Sequence, residues 1–325
     1  MRICFALSIV SAVLVATTGL AAAQDFPSRP ITIVYPFAAG GPGDIIARVI
    51  AEPMRAALGQ PVIVETMPGA NGNIGAGRIA RAEPNGSTLL LGTTSTHVLN
   101  GALYPLQHDV IKDFEPIALV ADSPLIVVAR KTLPANDLKE LVAWLKANGD
   151  KASQGYAGNG SPGHMTSLLF QSVTGTQVQF VPYRGTAAAM QDLVAGQIDV
   201  MFTSPIVALP PARSGHVKAY AVTSPRRLSS APDIPTADEA GLPGFATSSW
   251  FALFAPRGTP RDIVNKLNGA VVGALTDATV RARFAELGLE MFPREQQTPE
   301  ALAAFQKAEI EKWWPMVKAA GIKVE

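Results

Sequence analysis

Apolar residues in this chain come in short unbroken blocks. Each block runs into a glycine- or hydroxyl-rich turn, and most turns run into a stretch where apolar residues recur every three to four positions. Residues 31–37 show almost no polar alternation, which predicts a strand buried on both faces. Ile45, Ile46, Val49, Ile50, Met54 and Leu58 then fall at helical spacing, closed by Gly59. A strand at 62–64, a turn over 68–75, a short helix to about residue 82 and a strand at 88–91 follow. This alternation predicts a parallel sheet whose strands end in turns along one edge, the edge where such sheets bind ligands.

Residues 114–130 read as two apolar strands split by Asp122-Ser123-Pro124, a first crossing between domains. The pattern then repeats, with strands at 154–157, 178–183, 199–202 and 217–222 and helices at 138–145, 164–173 and 187–195. Residues 225–243 read as a loop with a short helix at 236–240. The apolar run 250–255 is the return crossing. Helices are expected at 261–275, with Thr259 and Asp262 as a capping box, at 277–287, and after Thr298-Pro299-Glu300. The expected fold class is α/β: residues 24–122 and 246–325 form lobe 1, residues 123–245 form lobe 2, and the crossings form a hinge around a cleft.

Composition narrows the function classes. Of 325 residues, 48% are hydrophobic and 16% charged, which excludes a disordered chain. Met1-Arg2, the apolar run 3–20 and Ala21-Ala22-Ala23 predict a signal peptide over residues 1–23 and export to the periplasm. Removing it takes Arg2 and no acid, leaving 26 basic and 26 acidic residues. A net charge of zero offers no basic patch for nucleic acid. Cys4, the single cysteine, leaves with that segment, so the mature chain has no disulfide, thiol nucleophile or cysteine ligand. His97, His108 and His216 lie in separate segments, which supports no metal site, and no cofactor is expected.

The turns carry the candidate chemistry. Over residues 35–44 a glycine-rich turn feeds a helix N-terminus, whose outward amides can hold an anion. The plainer reading is a tight turn with Asp44 as helix cap. Gly158, Gly160 and Gly163 fit the dinucleotide spacing, but no acid stands about 20 residues on to meet a ribose. Ser161 and His164 open a hydrolase reading, although position 159 is Asn and the nucleophile-elbow pattern is absent. Arg184 at a strand end either pairs with a ligand carboxylate or with Asp199 or a surface acid. Trp250 is either core or a cleft wall.

Taken together, residues 35–44, 68–72 with Gly75, Thr93-Thr94, Gly160-Ser161-Pro162 with His164, 181–185 and 196–199 resemble the Bug/TctC family, in the same order along nearly the whole mature chain. This family comprises the substrate-binding proteins of tripartite tricarboxylate transporters. The resemblance implies a two-lobed, type II periplasmic-binding-protein-like "Venus flytrap". Such a protein closes on a small organic carboxylate and delivers it to membrane transporter subunits, without catalysis. It implies ligand contacts from Phe37, Ala39, Gly40, Gly41 and Asp44 on one lobe and from Ser161, His164, Tyr183, Arg184 and Gly185 on the other. Thr94 and Thr203 join them by position at strand ends. We expect a monomer. The alternatives are a secreted serine hydrolase using Ser161 and His164, or a sensor component that presents its ligand to a receptor.

Overall fold

A computed structural model describes residues 26–319; the segment read as a signal peptide lies outside the described residues. Two five-stranded sheets carry the fold. The first contains β1 (Ile31–Tyr35), β2 (Val62–Thr66), β3 (Thr88–Thr93), β4 (Phe114–Pro124) and β10 (Ser248–Pro256), in the order β2-β1-β3-β10-β4. The second contains β5 (Ile126–Arg130), β6 (Ser153–Tyr156), β7 (Gln179–Pro182), β8 (Val200–Thr203) and β9 (Val217–Val222), in the order β7-β6-β8-β5-β9. The two sheets repeat one topology. Neither is wholly parallel, as the strand–helix alternation had suggested. In each, the strand that has just crossed from the other sheet runs antiparallel to both neighbours: β10 against β3 and β4, and β5 against β8 and β9.

Both faces of the first sheet are apolar, which explains its unbroken hydrophobic runs. Ile31, Ile33 and Tyr35 of β1 pack on one face with α1 (Pro42–Leu58), α8 (Arg261–Thr276) and α9 (Ala278–Glu286). Val34, Leu90, Trp250, Ala252 and Phe254 pack on the other with α2 (Asn73–Ala80), α3 (Asn100–Leu103) and α10 (Pro299–Ala319). Trp250 is therefore core and meets Phe305 edge-on at 5.7 Å between ring centroids. The second sheet divides likewise, Val127 and Ala129 facing α4 (Leu138–Asn148) and α5 (Pro162–Thr174), Ile126 and Val128 facing α6 (Thr186–Val194) and α7 (Pro205–Arg213).

Four local expectations need correction. Strand β4 continues through Asp122-Ser123-Pro124, because all three pair with β10, and the chain turns at Leu125 instead. Thr259 does not cap α8; its hydroxyl donates to Pro256 O at 2.7 Å. At 236–240 only a single turn forms, closed by reciprocal bonds between Thr236 and Glu239. The sequence pattern places no helix at 205–213, because Pro210 and Pro211 signal an end to helix, yet α7 forms there with both prolines in its last turns.

Candidate functional site

Between β1 and α1 the chain makes the glycine turn of residues 36–41. Gly41 caps α1 with its backbone alone, in an extended conformation at φ −77°, and Pro42 opens the helix. Asp44 is not the cap. It lies in the first turn, 5% exposed, and reaches back: Gly40 N–H donates to its Oδ2 at 2.9 Å, and Arg48 Nε donates to Oδ1 at 2.9 Å. Gly40 takes φ +76°, a conformation that favours glycine. The Tyr35 ring lies so close to Gly43 that a Cβ there would stand 2.1 Å from Cε2. Burial holds the Tyr35 hydroxyl far above the ordinary tyrosine range, so it stays neutral.

The turn between β6 and α5 faces it from the other lobe. Ser161 caps α5, its Oγ accepting from His164 N–H at 3.4 Å, and Pro162 follows. Gly160, at φ +75°, donates its N–H to His164 Nδ1 at 3.1 Å. With Nδ1 accepting, the ring proton resides on Nε2. The imidazole stacks on Tyr156 at 4.7 Å and meets Phe180 edge-on at 4.9 Å. Burial lowers its pKa to about 4, so it is neutral at physiological pH. The Ser161 hydroxyl thus meets a backbone amide, and the imidazole's accepting nitrogen is occupied. No nucleophile–base pair forms, and the hydrolase alternative fails on geometry.

The glycines that fitted the dinucleotide spacing have local reasons: Gly158 and Gly160 take positive φ, and a Cβ on Gly163 would stand 2.5 Å from Phe202 O, so α5 can lie on β8 only without one.

Four helix starts converge on one cavity of about 120 Å³ between the lobes. Gly41 and Pro42 of α1, Ser161 to Gly163 of α5, Gly185 and Thr186 of α6, and Ser204 at the cap of α7 all line it. Each helix start presents unpaired N–H groups and the positive end of its dipole. Arg184 is the one charged residue among the lining residues, and no carboxylate is among them. Asp199, its suggested structural partner, pairs with Arg130 at 2.7 Å, and Arg184 forms no ion pair among the described residues. The cavity is electropositive without a cluster of cations.

Seven of the residues singled out in the sequence line this cavity: Phe37, Ala39, Gly41, Ser161, Arg184, Gly185 and Thr203. Five stand behind it. Gly40, Asp44 and His164 hold the two turns in shape, as described. Thr94 Oγ1 accepts from Trp250 N–H at 3.0 Å and so ties β3 to the returning strand. Tyr183 turns its hydroxyl to Asp192, at 2.7 Å. Reading by motif missed Tyr35, Ser95, Ser123, Ser204 and Ser249, which also line the cavity. Hydroxyl residues at strand ends were the available signal for Ser95 and Ser204. Ser123 and Ser249 are brought side by side by the register of β4 and β10, which no local pattern encodes.

Comparisons with known proteins bear on the fold and the family. The family model described as "Tripartite tricarboxylate transporter family receptor" (TctC) matches residues 46–322. Protein BugT of Bordetella pertussis is 35% identical over 321 residues, covering 97% of this chain and 98% of its own length. MatC of Rhodopseudomonas palustris, solved with bound malate, superposes with a TM-score of 0.85 at 43% identity, covering 90% of this chain and all of that one. The R. palustris protein Rpa4515, solved with adipate, superposes with a TM-score of 0.87 at 32% identity, covering 93% of this chain and all of that one.

Proposed function

The chain belongs to the tripartite tricarboxylate transporter receptor family, the non-enzymatic Bug/TctC solute-binding proteins, and we propose that it captures a small organic carboxylate between its lobes in the periplasm. It then passes the acid to membrane transporter subunits, acting as a monomer. One observation carries the ligand class: four helix N-termini and an arginine with no ion pair among the described residues line a cavity whose lining contains no acid. Backbone amides, hydroxyls and a guanidinium are donors, and a carboxylate is the acceptor they suit. The relatives solved with malate and adipate support this reading.

Phe37, Ala39 and Gly41 would meet the acid from lobe 1, and Ser161, Arg184, Gly185 and Thr203 from lobe 2. Gly40, Asp44, His164, Tyr183 and Thr94 would act one step back, by fixing the turns. A ligand that touches both lobes only when they are together favours the closed arrangement.

Calorimetric titration of the chain from Gln24 onward with malate, succinate and adipate tests this. At least one acid should bind, and Arg184→Gln should weaken it by roughly tenfold or more, as expected for a lost charge-assisted contact. Gly41→Val should weaken binding strongly, since its Cβ would stand 3.2 Å from Ala38 O and its methyl groups would occupy space at the cavity wall. Unchanged affinity in both variants would place the site elsewhere.

A further inference from the structure

Two helices at this cavity begin with Ser-Pro, and their caps differ. Ser161 (φ −66°, ψ 156°) and Ser204 (φ −64°, ψ 153°) share one backbone conformation. Ser161 Oγ accepts from an amide of its own helix. Ser204 Oγ caps nothing: it is buried and has no hydrogen-bond partner among the described residues. Thr203, beside it at the end of β8, also has a buried, unpartnered Oγ1. The two residues are 5% and 1% exposed, and both line the cavity.

A buried hydroxyl without a partner is disfavoured, and most are satisfied in folded proteins. Two in succession, on residues that line a cavity at the positive end of a nine-residue helix, mark where a bound group supplies the missing acceptor. Their place is distinct from that of Arg184. In the sheet order β7-β6-β8-β5, Arg184 follows β7 and Thr203 ends β8, two strands nearer the crossing strand. At about 4.8 Å per strand, the two positions are roughly 10 Å apart across the sheet edge.

We propose that Thr203 and Ser204 form a second polar pole of the cavity, which selects acids bearing another oxygen acceptor at the end remote from the first carboxylate. This rests on the carboxylate reading above. The pole favours acceptors over ammonium groups, because a helix N-terminus and no carboxylate surrounds it.

The test uses pairs of acids that differ only at the far end: succinate against butyrate, and adipate against hexanoate. The chain should bind one diacid at least roughly tenfold more tightly than its mono-acid, the range of a hydrogen bond to a charged acceptor. Thr203→Val, which keeps shape and removes the hydroxyl, and Ser204→Ala should each shrink that ratio several-fold. Each should weaken the diacid more than the mono-acid. Thr203→Ser should restore the ratio. Equal binding of diacid and mono-acid, or equal loss of both in the variants, overturns this inference and leaves the carboxylate reading intact. Failure of every acid to bind overturns both.

Discussion

The turns that face each other across the cavity are one device built twice with different chemistry. In lobe 1 the chain reads Gly40-Gly41-Pro42-Gly43-Asp44, and in lobe 2 Gly160-Ser161-Pro162-Gly163-His164. Each begins with a glycine at positive φ, +76° and +75°. Each places proline at the first helical position and glycine at the second, where a Cβ would strike the preceding strand or its neighbour. In each, the next side chain reaches back to the amide of the first glycine. The shared parts are a helix start pressed onto a sheet and a first amide tied inward. The differing parts show that the tie tolerates either a carboxylate neutralised by Arg48 or a neutral imidazole.

The second glycine of each turn gives the harshest break. Gly163→Ala puts a methyl group against Phe202 O, which belongs to a buried strand and cannot rotate away. Gly43→Ala puts it against the Tyr35 ring, which can shift slightly. Urea denaturation should show a loss of about 3 kcal/mol for the first and about 2 kcal/mol for the second, the range of overpacked cores. Equal stability of either variant and the parent would refute the close packing.

Acid separates the two ties next. The unfolded chain protonates His164 near pH 6.5, whereas burial keeps the folded imidazole neutral down to about pH 4. Between those values the unfolded state holds more protons, so stability is full above about pH 6.5 and falls as pH drops toward 4. The loss should be roughly 3 kcal/mol across the window. Buried His97, lowered to about 3, adds a loss of the same sign in lobe 1. His164→Asn keeps an oxygen acceptor for Gly160 N–H and removes one titration, so its stability should vary less steeply with pH. A slope identical to the parent's would deny His164 this role.

Much of this was legible in the sequence, for physical reasons that also set the limits. Strands buried on both faces write themselves as unbroken apolar runs, and Ile31 to Tyr35 and Leu89 to Leu91 were found that way. The glycine turns announced themselves because positive φ and close approach both require glycine, and the family resemblance that rests partly on them implied Phe37, Gly41, Ser161 and Arg184 as ligand contacts. Strand direction was not legible: β5 and β10 read as ordinary apolar runs, and only the path of the chain between lobes turns them antiparallel to their neighbours. Nor was the direction of a side chain at a turn. Asp44 and His164 stand beside the cavity in sequence but face back into the turn, because an unsatisfied amide lies there.

A smaller effect distinguishes the first glycines. Gly40→Ala and Gly160→Ala both force alanine into the left-handed region, about 1 to 2 kcal/mol each. Around Gly40 a Cβ meets open space, whereas at Gly160 it would stand 2.5 Å from Leu103 Cδ1, across the cleft in lobe 1. The two variants should therefore lose similar stability, while Gly160→Ala alone weakens acid binding further, because its clash exists only when the lobes are together. Parallel calorimetry and thermal melts would read both quantities, and indistinguishable affinities would remove the asymmetry.

The finest probe concerns how the lobes touch. The lobe 2 turn is gripped from lobe 1: Tyr104 donates its hydroxyl to Asn159 O at 2.9 Å, and Ser95 Oγ donates to Gly160 O at 3.3 Å. The lobe 1 turn meets lobe 2 through the approach of Ala38 to Gly185, where an added Cβ would stand 3.7 Å from Ala38 Cβ. Tyr104→Phe deletes one cross-lobe bond and keeps the ring. Such a bond contributes about 0.5 to 1 kcal/mol here, since in the open arrangement water replaces it. The closed population falls by that factor, so affinity for whichever acid binds should drop about two- to fivefold. Stability of the unliganded chain should barely change. X-ray scattering should show a larger radius of gyration without ligand and the parental value at saturation. If affinity and scattering both matched the parent, the cross-lobe bonds would contribute nothing to closure, and the grip of the two lobes would reside wholly in their shared contacts with the acid.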